Sequence, residues 1–115
     1  MSDRLPLNEE ERNARSRLVA AARAMLSGEL SYHEGSVIVL RLRCRVGGVL
    51  DFDEDFDAFV VIESETDHLP LKAQQPLWDQ AALARMAPEY ESVEAWAETF
   101  APSACEKLIG RFANG

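Results

Sequence analysis

The sequence predicts an all-α fold, a single-domain compact helical bundle of about five to six helices. Apolar residues recur every three or four positions along most of the chain, as in helices that bury one face. Capping residues precede several of these segments. The chain has 115 residues and is 47% hydrophobic, which is enough for one core without disulfides or metals. We therefore assign residues 1–115 to one helical domain, with residues 1–7 and 113–115 frayed.

The first helix is predicted to begin after Asn8, which is a good N-cap. Glu9, Glu10 and Glu11 follow it, where the positive end of the helix dipole favours acids. Gly28 predicts the end of this helix, because glycine adopts the left-handed conformation of a C-terminal cap. Apolar residues at helical spacing predict its buried face: Ala14, Leu18, Ala22, Met25 and Leu26.

The second helix is predicted to begin at an S-x-x-E capping box formed by Ser31 and Glu34. The segment that follows, 37–46, is ambiguous, because its apolar residues alternate with arginines as in a half-buried strand. No second convincing strand exists to pair with it, and an isolated strand leaves its backbone groups unpaired. We therefore predict a helix that ends at Gly47-Gly48.

A dense acidic segment, Asp51 to Asp67, is the most distinctive predicted surface. Residues 53–63 within it are predicted to form a short helix. A repeat every three or four residues predicts this helix and an inner face rich in aromatic residues: Phe52, Phe56, Phe59, Val60 and Glu63. A loop, 64–70, is predicted to follow and to end at a proline.

The C-terminal part of the chain is predicted to contain three helices separated by prolines. Asp79 is the predicted N-cap of a short helix through Met86. Pro88 suits the first position of the next helix, and Pro102 interrupts or kinks the pattern. The last helix is predicted to run from 103 to 112.

Neither Cys44 nor Cys105 belongs to a C-x-x-C pair, so no zinc site or redox motif is predicted. Both lie in apolar patterns, and we predict that both are small apolar core residues.

Charge is distributed unevenly along the chain. Residues 1–50 contain eight basic and six acidic residues, whereas residues 51–115 contain four basic and fourteen acidic ones. The net charge of −8 argues against nucleic acid or an anionic membrane as partner and favours a basic protein. We expect Arg41, Arg43 and Arg45 to pair with the acidic segment. No signal peptide or membrane span is apparent, which predicts a cytoplasmic protein, and a homodimer stays open.

The acidic segment invites comparison with a calcium-binding loop. If Asp51 is position 1 of such a loop, Asp53 and Asp55 occupy positions 3 and 5, as required. Position 6 is then Phe56 where the sharp turn needs glycine, and position 12 is Ile62 instead of a bidentate glutamate. These mismatches exclude an EF-hand.

A second acidic cluster could hold a metal or supply acid–base catalysis: Glu63, Glu65, Asp67 and His68. Ligation requires these side chains to converge, and His33 and His68 lack the i, i+4 spacing of helical zinc sites. We favour a solvated loop whose acids cap helices or pair with arginines of the second helix.

Catalytic motifs are not apparent in the sequence. It has no G-x-S-x-G, no Gly-rich phosphate loop and no Cys-His motif. Ser64 lies between two glutamates, whose charge disfavours a developing alkoxide. We predict that the protein is not an enzyme and has no cofactor.

Several strings together resemble a family of small, uncharacterised, helical bacterial proteins with an S-E-T-D-x-L-P loop motif: 62–71, 24–30, Glu34-Gly35, Trp78 and 104–109. The similarity spans roughly residues 18–112. It implies a helix at 37–46 and a bacterial cytoplasm, and it implies no activity or site residues.

Two functional hypotheses follow, from different classes. The first is a non-catalytic protein-interaction module, most concretely an immunity-type inhibitor of a basic toxin. Its predicted contact residues are the acids of the segment: Asp51, Asp53, Glu54, Asp55, Asp57, Glu65 and Asp67. The alternative is a small-molecule or metal-binding protein that uses the Glu63–His68 loop. A third hypothesis is a scaffold protein or a subunit that has no binding site of its own.

Overall fold

Five α-helices and two short 3-10 helices make up the computed structural model, which describes residues 7–50 and 52–113. No strand occurs in these two ranges, so the predicted all-α fold is confirmed. The α-helices are α1 (Glu9–Ser27), α2 (Tyr32–Leu42), α3 (Asp57–Thr66), α4 (Gln80–Ala97) and α5 (Ala101–Phe112), and the 3-10 helices are Glu54–Phe56 and Gln75–Leu77. The ends predicted to fray fall mostly outside the described residues.

One hydrophobic core holds the helices together. α1 packs along both α2 and α5, and α2 packs on α3. The largest buried side chains of this core come from four of the helices and the 3-10 turn before α3: Leu18, Val39, Phe56, Phe59, Ile62 and Leu108. In the described part of the chain, no helix is both long enough and apolar enough to cross a bilayer.

Both ends of α1 are as predicted. Asn8 Oδ1 accepts the Glu11 N–H at 2.7 Å, and Glu11 Oε1 accepts the Asn8 N–H at 3.1 Å. This reciprocal pair satisfies two backbone donors that the helix cannot satisfy itself. Gly28 ends the helix at a φ of 84°, in the left-handed region.

The N-terminus of α2 is capped from two directions. Ser31 Oγ accepts the Glu34 N–H at 3.0 Å, which is the serine half of the predicted capping box, whereas the Glu34 carboxylate accepts the Lys72 N–H instead. The carboxylate of Glu94, in α4, accepts the N–H groups of Tyr32 and His33, each at 2.9 Å. A negative charge at a helix N-terminus is favourable, so this contact stabilises the packing of α4 against α2.

The predicted helix over 37–46 is confirmed only as far as Leu42. Beyond it the chain turns, and Gly47 and Gly48 have φ values of 73° and 76°. Arg15 of α1 stabilises this turn, because its guanidinium donates to the carbonyls of Val46 at 2.7 Å and Gly47 at 2.8 Å. The helix therefore ends early, because consecutive glycines disfavour helix and an arginine from another helix binds the carbonyls of the turn.

The predicted acidic helix begins as the 3-10 turn Glu54–Phe56 and continues as α3. Phe56 and Phe59 are buried as predicted, but Phe52 is 98% exposed and Val60 is 39% exposed. The inner-face prediction is wrong for these two. Phe52 precedes the helical turns, so helical spacing does not govern where its side chain lies.

α3 also continues to Thr66, three residues into the predicted loop. The Thr66 hydroxyl is buried and donates to the Ile62 carbonyl at 2.7 Å, which allows a polar side chain on the inner face.

Residues 80–97 form one helix, not the two predicted. Pro88 lies inside α4, where it lacks the N–H that would bond the Ala84 carbonyl. Both residues are exposed, so the missing hydrogen bond falls on the solvent side of α4, and the good helix formers on either side sustain the helix. Asp79 is the N-cap residue, as predicted, although its side chain makes no capping hydrogen bond.

The last helix begins two residues earlier than predicted, at Ala101, with Pro102 in its first turn, where no backbone donor is needed. Cys105 is buried as predicted, and burial raises the pKa of its thiol to about 11. Cys44 is exposed, so the core prediction is wrong for it, because α2 ends before reaching it.

One buried hydroxyl has no hydrogen-bond partner in the described residues: Ser36 Oγ, on the core side of α2. We expect Ser36→Ala to raise the free energy of unfolding by about 1 kcal/mol, because alanine removes an unsatisfied polar group. Chemical denaturation measures this. The exposed Ser92→Ala change in α4 controls for helix propensity, and an equal gain in both variants would contradict the explanation.

Candidate functional site

The acidic segment divides into two groups of carboxylates with different surroundings. The inner group is Asp53 and Asp55, which bind Arg111 in the last turn of α5. Arg111 contacts Asp53 through two parallel bonds, Nη1 to Oδ1 at 2.9 Å and Nη2 to Oδ2 at 2.8 Å. Its Nη1 also lies 2.9 Å from Asp55 Oδ2. A bidentate arginine–carboxylate pair is among the strongest hydrogen-bonded pairs in proteins.

This inner group is therefore part of the fold. Asp53 Oδ1 also accepts the Asp55 N–H at 3.1 Å and so caps the 3-10 turn. The hydrogen bonds from Arg111 hold the pKa of Asp53 below its ordinary value. Arg111 also donates to the Gly48 carbonyl, so it joins α5 to the chain between α2 and α3.

The predicted pairing of the acidic segment with Arg41, Arg43 and Arg45 is wrong. Within 7–50 and 52–113 none of these three forms an ion pair with it, and Arg111 does so instead. α2 ends at Leu42, and the turn after it carries Arg43 and Arg45 away from the helical positions assumed for them.

The outer group of carboxylates points to solvent. Glu54, Asp57, Glu63 and Glu65 are exposed, and among the described residues none of them has a basic partner. Asp67 is exposed as well and lies 3.7 Å from His68 Nδ1. Asp51, the remaining predicted contact residue, lies outside the described residues. Four of the seven predicted contact acids thus face outward: Glu54, Asp57, Glu65 and Asp67.

A groove of about 980 Å³ lies between α2 and α3, and we call it the α2–α3 groove. Its apolar lining comes from both helices and from the chain that follows α3: Val37, Leu40, Val60 and Leu69. Asp57, Glu63 and Asp67 line the α3 side, whereas Arg41 and Arg43 line the α2 side. The two sides therefore have opposite charge.

Two large apolar side chains project at the rim of this groove. Leu50 is 79% exposed and Phe52 is 98% exposed. Phe52 has a φ of 61°, in the left-handed region, which costs a bulky residue about 1 kcal/mol. The next residue, Asp53, is held by Arg111, so the surrounding contacts maintain this conformation.

His33 also lines the groove, and it is 5% exposed. Its ring lies 5.8 Å from the ring of Tyr90, measured between centroids. Burial lowers the pKa of its imidazole, so the ring is neutral near pH 7. No hydrogen bond to its ring nitrogens forms within the described part of the chain.

The alternative cluster Glu63, Glu65, Asp67 and His68 does not converge. His68 Nε2 lies 2.6 Å from Glu89 Oε1 on α4, and this hydrogen bond is the main cause of the raised pKa of His68. Among residues 7–50 and 52–113, no group of three or more His, Cys, Asp or Glu side chains is placed to hold a metal ion. The metal-binding alternative therefore has no geometric support.

The 64–70 segment and the residues after it are instead hydrogen-bonded to α2 and α4. The Tyr90 hydroxyl donates to the Pro70 carbonyl, and Glu34 Oε2 accepts the Lys72 N–H at 3.0 Å. Together with the His68–Glu89 contact, these bonds hold the end of α3 against α2 and α4.

Sequence reasoning missed three features of this site: the role of Arg111, the exposure of Leu50 and Phe52, and the buried imidazole of His33. Of these three features, only the exposure of Leu50 and Phe52 had a local signal in the sequence. This signal is Gly47-Gly48, because two glycines before an apolar pair indicate a turn.

No family model matches this chain, and no curated protein or solved structure matches it either.

Proposed function

We propose that this protein is a non-catalytic protein-interaction module whose partner is a basic protein. The most concrete form of the proposal is an immunity-type inhibitor that covers the cationic site of a toxin such as a nuclease. The observation that supports it most directly is the outer group of carboxylates. Four of them are exposed and have no basic partner among the described residues: Glu54, Asp57, Glu63 and Glu65.

Unneutralised carboxylates on the surface of α3 and of the 3-10 turn before it act on a partner protein before contact. They raise the rate of association with a cationic surface, and salt weakens this effect because it screens exposed charges. Asp53 and Asp55 contribute less, because Arg111 neutralises part of their charge. The structure thus supports a narrower contact surface than the whole acidic segment.

The test is binding to a toxin encoded by a neighbouring gene, measured by surface plasmon resonance at several salt concentrations. The variant replaces the four outer acids together: Glu54→Gln, Asp57→Asn, Glu63→Gln and Glu65→Gln. We expect association to slow by about tenfold or more, with a weaker dependence on salt.

A matched control removes four exposed acids elsewhere: Glu10, Glu29, Glu91 and Glu106, each changed to glutamine. It lowers the net negative charge equally but leaves the α3 surface intact. Equal slowing in both variants, or no change in the α3 variant, would show that this surface is not the contact.

A further inference from the structure

We propose that the α2–α3 groove receives an amphipathic helix of the partner, whose apolar stripe lies on the groove floor and whose Lys and Arg side chains face α3. This inference rests on the proposed function, because it specifies which part of a basic partner meets the outer carboxylates.

Charge complementarity identifies this occupant. The α3 side of the groove presents Asp57, Glu63 and Asp67, and the α2 side presents Arg41 and Arg43. None of the three arginines 41, 43 and 45 pairs with the acidic segment in the described residues, so the opposite charges face each other across the groove. A helix with an apolar stripe, a basic flank and an acidic or polar flank matches all three surfaces.

The length of the charged side favours a helix over a small molecule. Asp57 and Asp67 are ten positions apart on α3 and its C-cap, which corresponds to about 15 Å, or roughly three helical turns. A ligand must span this distance to use both ends. A partner helix with basic residues at i, i+3/i+4 and i+7 spacing does so along its own axis.

Leu50 and Phe52 provide apolar anchors at one end of the groove. An almost fully exposed phenylalanine in a strained backbone conformation is unfavourable for the isolated protein. Arg111 fixes the chain on both sides of these residues, through the Gly48 carbonyl and the Asp53 carboxylate. A rigid aromatic side chain loses little entropy on binding, which is typical of residues that contribute most to an interface.

His33 contributes a polar group to the same groove. The residue is 5% exposed, it lines the groove, and its ring nitrogens form no hydrogen bond with the described residues. A neutral imidazole has one N–H donor and one acceptor nitrogen. A polar side chain or a free helix-terminal backbone group of the occupant can bond to it.

The probe is a synthetic peptide of about 18 residues made of Leu, Lys and Glu, ordered so that the Leu side chains share one helical face, with Lys on one flank of it and Glu on the other. A peptide of the same composition in scrambled order keeps the charge and loses the apolar face. Fluorescence anisotropy with dye-labelled peptides measures their affinity for the full chain. We expect the ordered peptide to bind at least about tenfold more tightly than the scrambled one.

Two matched pairs locate the binding site. Val60 lines the groove, whereas its neighbour Val61 does not, and their exposures are similar at 39% and 45%. Glu63 lines the groove, whereas Glu91, an exposed acid on α4, does not. We expect Val60→Ser and Glu63→Gln to weaken binding of the ordered peptide by about three- to tenfold. Val61→Ser and Glu91→Gln should change it by less than about twofold.

Equal affinity for the ordered and scrambled peptides, or equal effects within each pair, would overturn the inference. So would sedimentation that shows a dimer disrupted by Val60→Ser but not by Val61→Ser, because a second copy would then occupy the groove. The proposed function fails separately, if the fourfold acid variant binds the toxin with unchanged rate and salt dependence while these peptide results hold.

Discussion

Gly35→Ala should lower the free energy of unfolding by about 2 kcal/mol, although alanine is the better helix former. A Cβ atom at this position would lie 2.2 Å from Met25 Sδ and 2.5 Å from its Cγ. Met25 is 2% exposed, so its side chain would have to repack within the core, or α1 and α2 would have to separate. The loss of close packing then outweighs the gain of about 1 kcal/mol in helix propensity.

Gly110 in α5 provides the matched control, because a Cβ atom there meets nothing within 4 Å. We expect Gly110→Ala to raise stability by about 0.5–1 kcal/mol. Urea denaturation of both variants measures the difference. A second test adds Met25→Ala to Gly35→Ala, and the double variant should lose less stability than the sum of the single variants. Stabilisation by both glycine changes, or strict additivity with Met25→Ala, would refute the close contact between α1 and α2.

The second large effect is expected at Arg111. Arg111→Met keeps an apolar side chain of similar length but removes the guanidinium, which binds two carboxylates and whose Cζ lies 4.9 Å from the centroid of the Phe112 ring. The Asp53 side chain is only 13% exposed, so its charge would be left in a poorly hydrated place. We expect a loss of about 2 kcal/mol in the free energy of unfolding.

The pH dependence of this loss identifies its cause. Arg111 holds the pKa of Asp53 below its ordinary value of 3.8 in the folded state, so the pair contributes its full stability above that pH. The contribution is lost as the pH falls through the lower, folded pKa. The stability difference between the protein and Arg111→Met should therefore be constant near neutral pH and shrink below about pH 4.

Arg85→Met, at an exposed position on α4, removes the same charge and should change stability by less than about 0.5 kcal/mol. A loss of similar size in this control, or a difference for Arg111→Met that does not shrink in acid, would rule out the Arg111–Asp53 pair as the cause.

The contacts of Arg111 also limit which variants can test the function. Arg111 fixes the chain that carries Leu50 and Phe52, so a change there disturbs both the fold and the groove rim. Replacing Asp53 and Asp55 has the same fault, because both bind Arg111. Clean tests of the acidic surface therefore use Glu54, Asp57, Glu63 and Glu65.

Local sequence determined the helices that carry their own signals. Asn8 with Glu11, Gly28, and Ser31 with Glu34 act over at most a few residues, and the structure has the helix ends that they predict. Helical spacing also predicted that Phe56 and Phe59 are buried. Such signals are visible in sequence because both partners of each contact lie within about one helical turn.

Tertiary structure decided where a helix ends or continues at positions whose local signals are weak or opposed. α4 continues through Pro88 because the missing hydrogen bond falls on the solvent side of the helix, and which side is exposed depends on tertiary packing. α2 stops at Leu42, and Arg15 of α1 binds the carbonyls beyond it, at Val46 and Gly47.

For the candidate site, the sequence alone determined the abundance of carboxylates between 51 and 67 and the negative charge that they carry. Only the tertiary structure decided which of them are available, because Arg111 lies more than fifty positions from the aspartates that it binds. Charge is a property of composition and can be read from the chain. Neutralisation depends on which distant side chains the fold brings within hydrogen-bonding distance, and no local pattern encodes that.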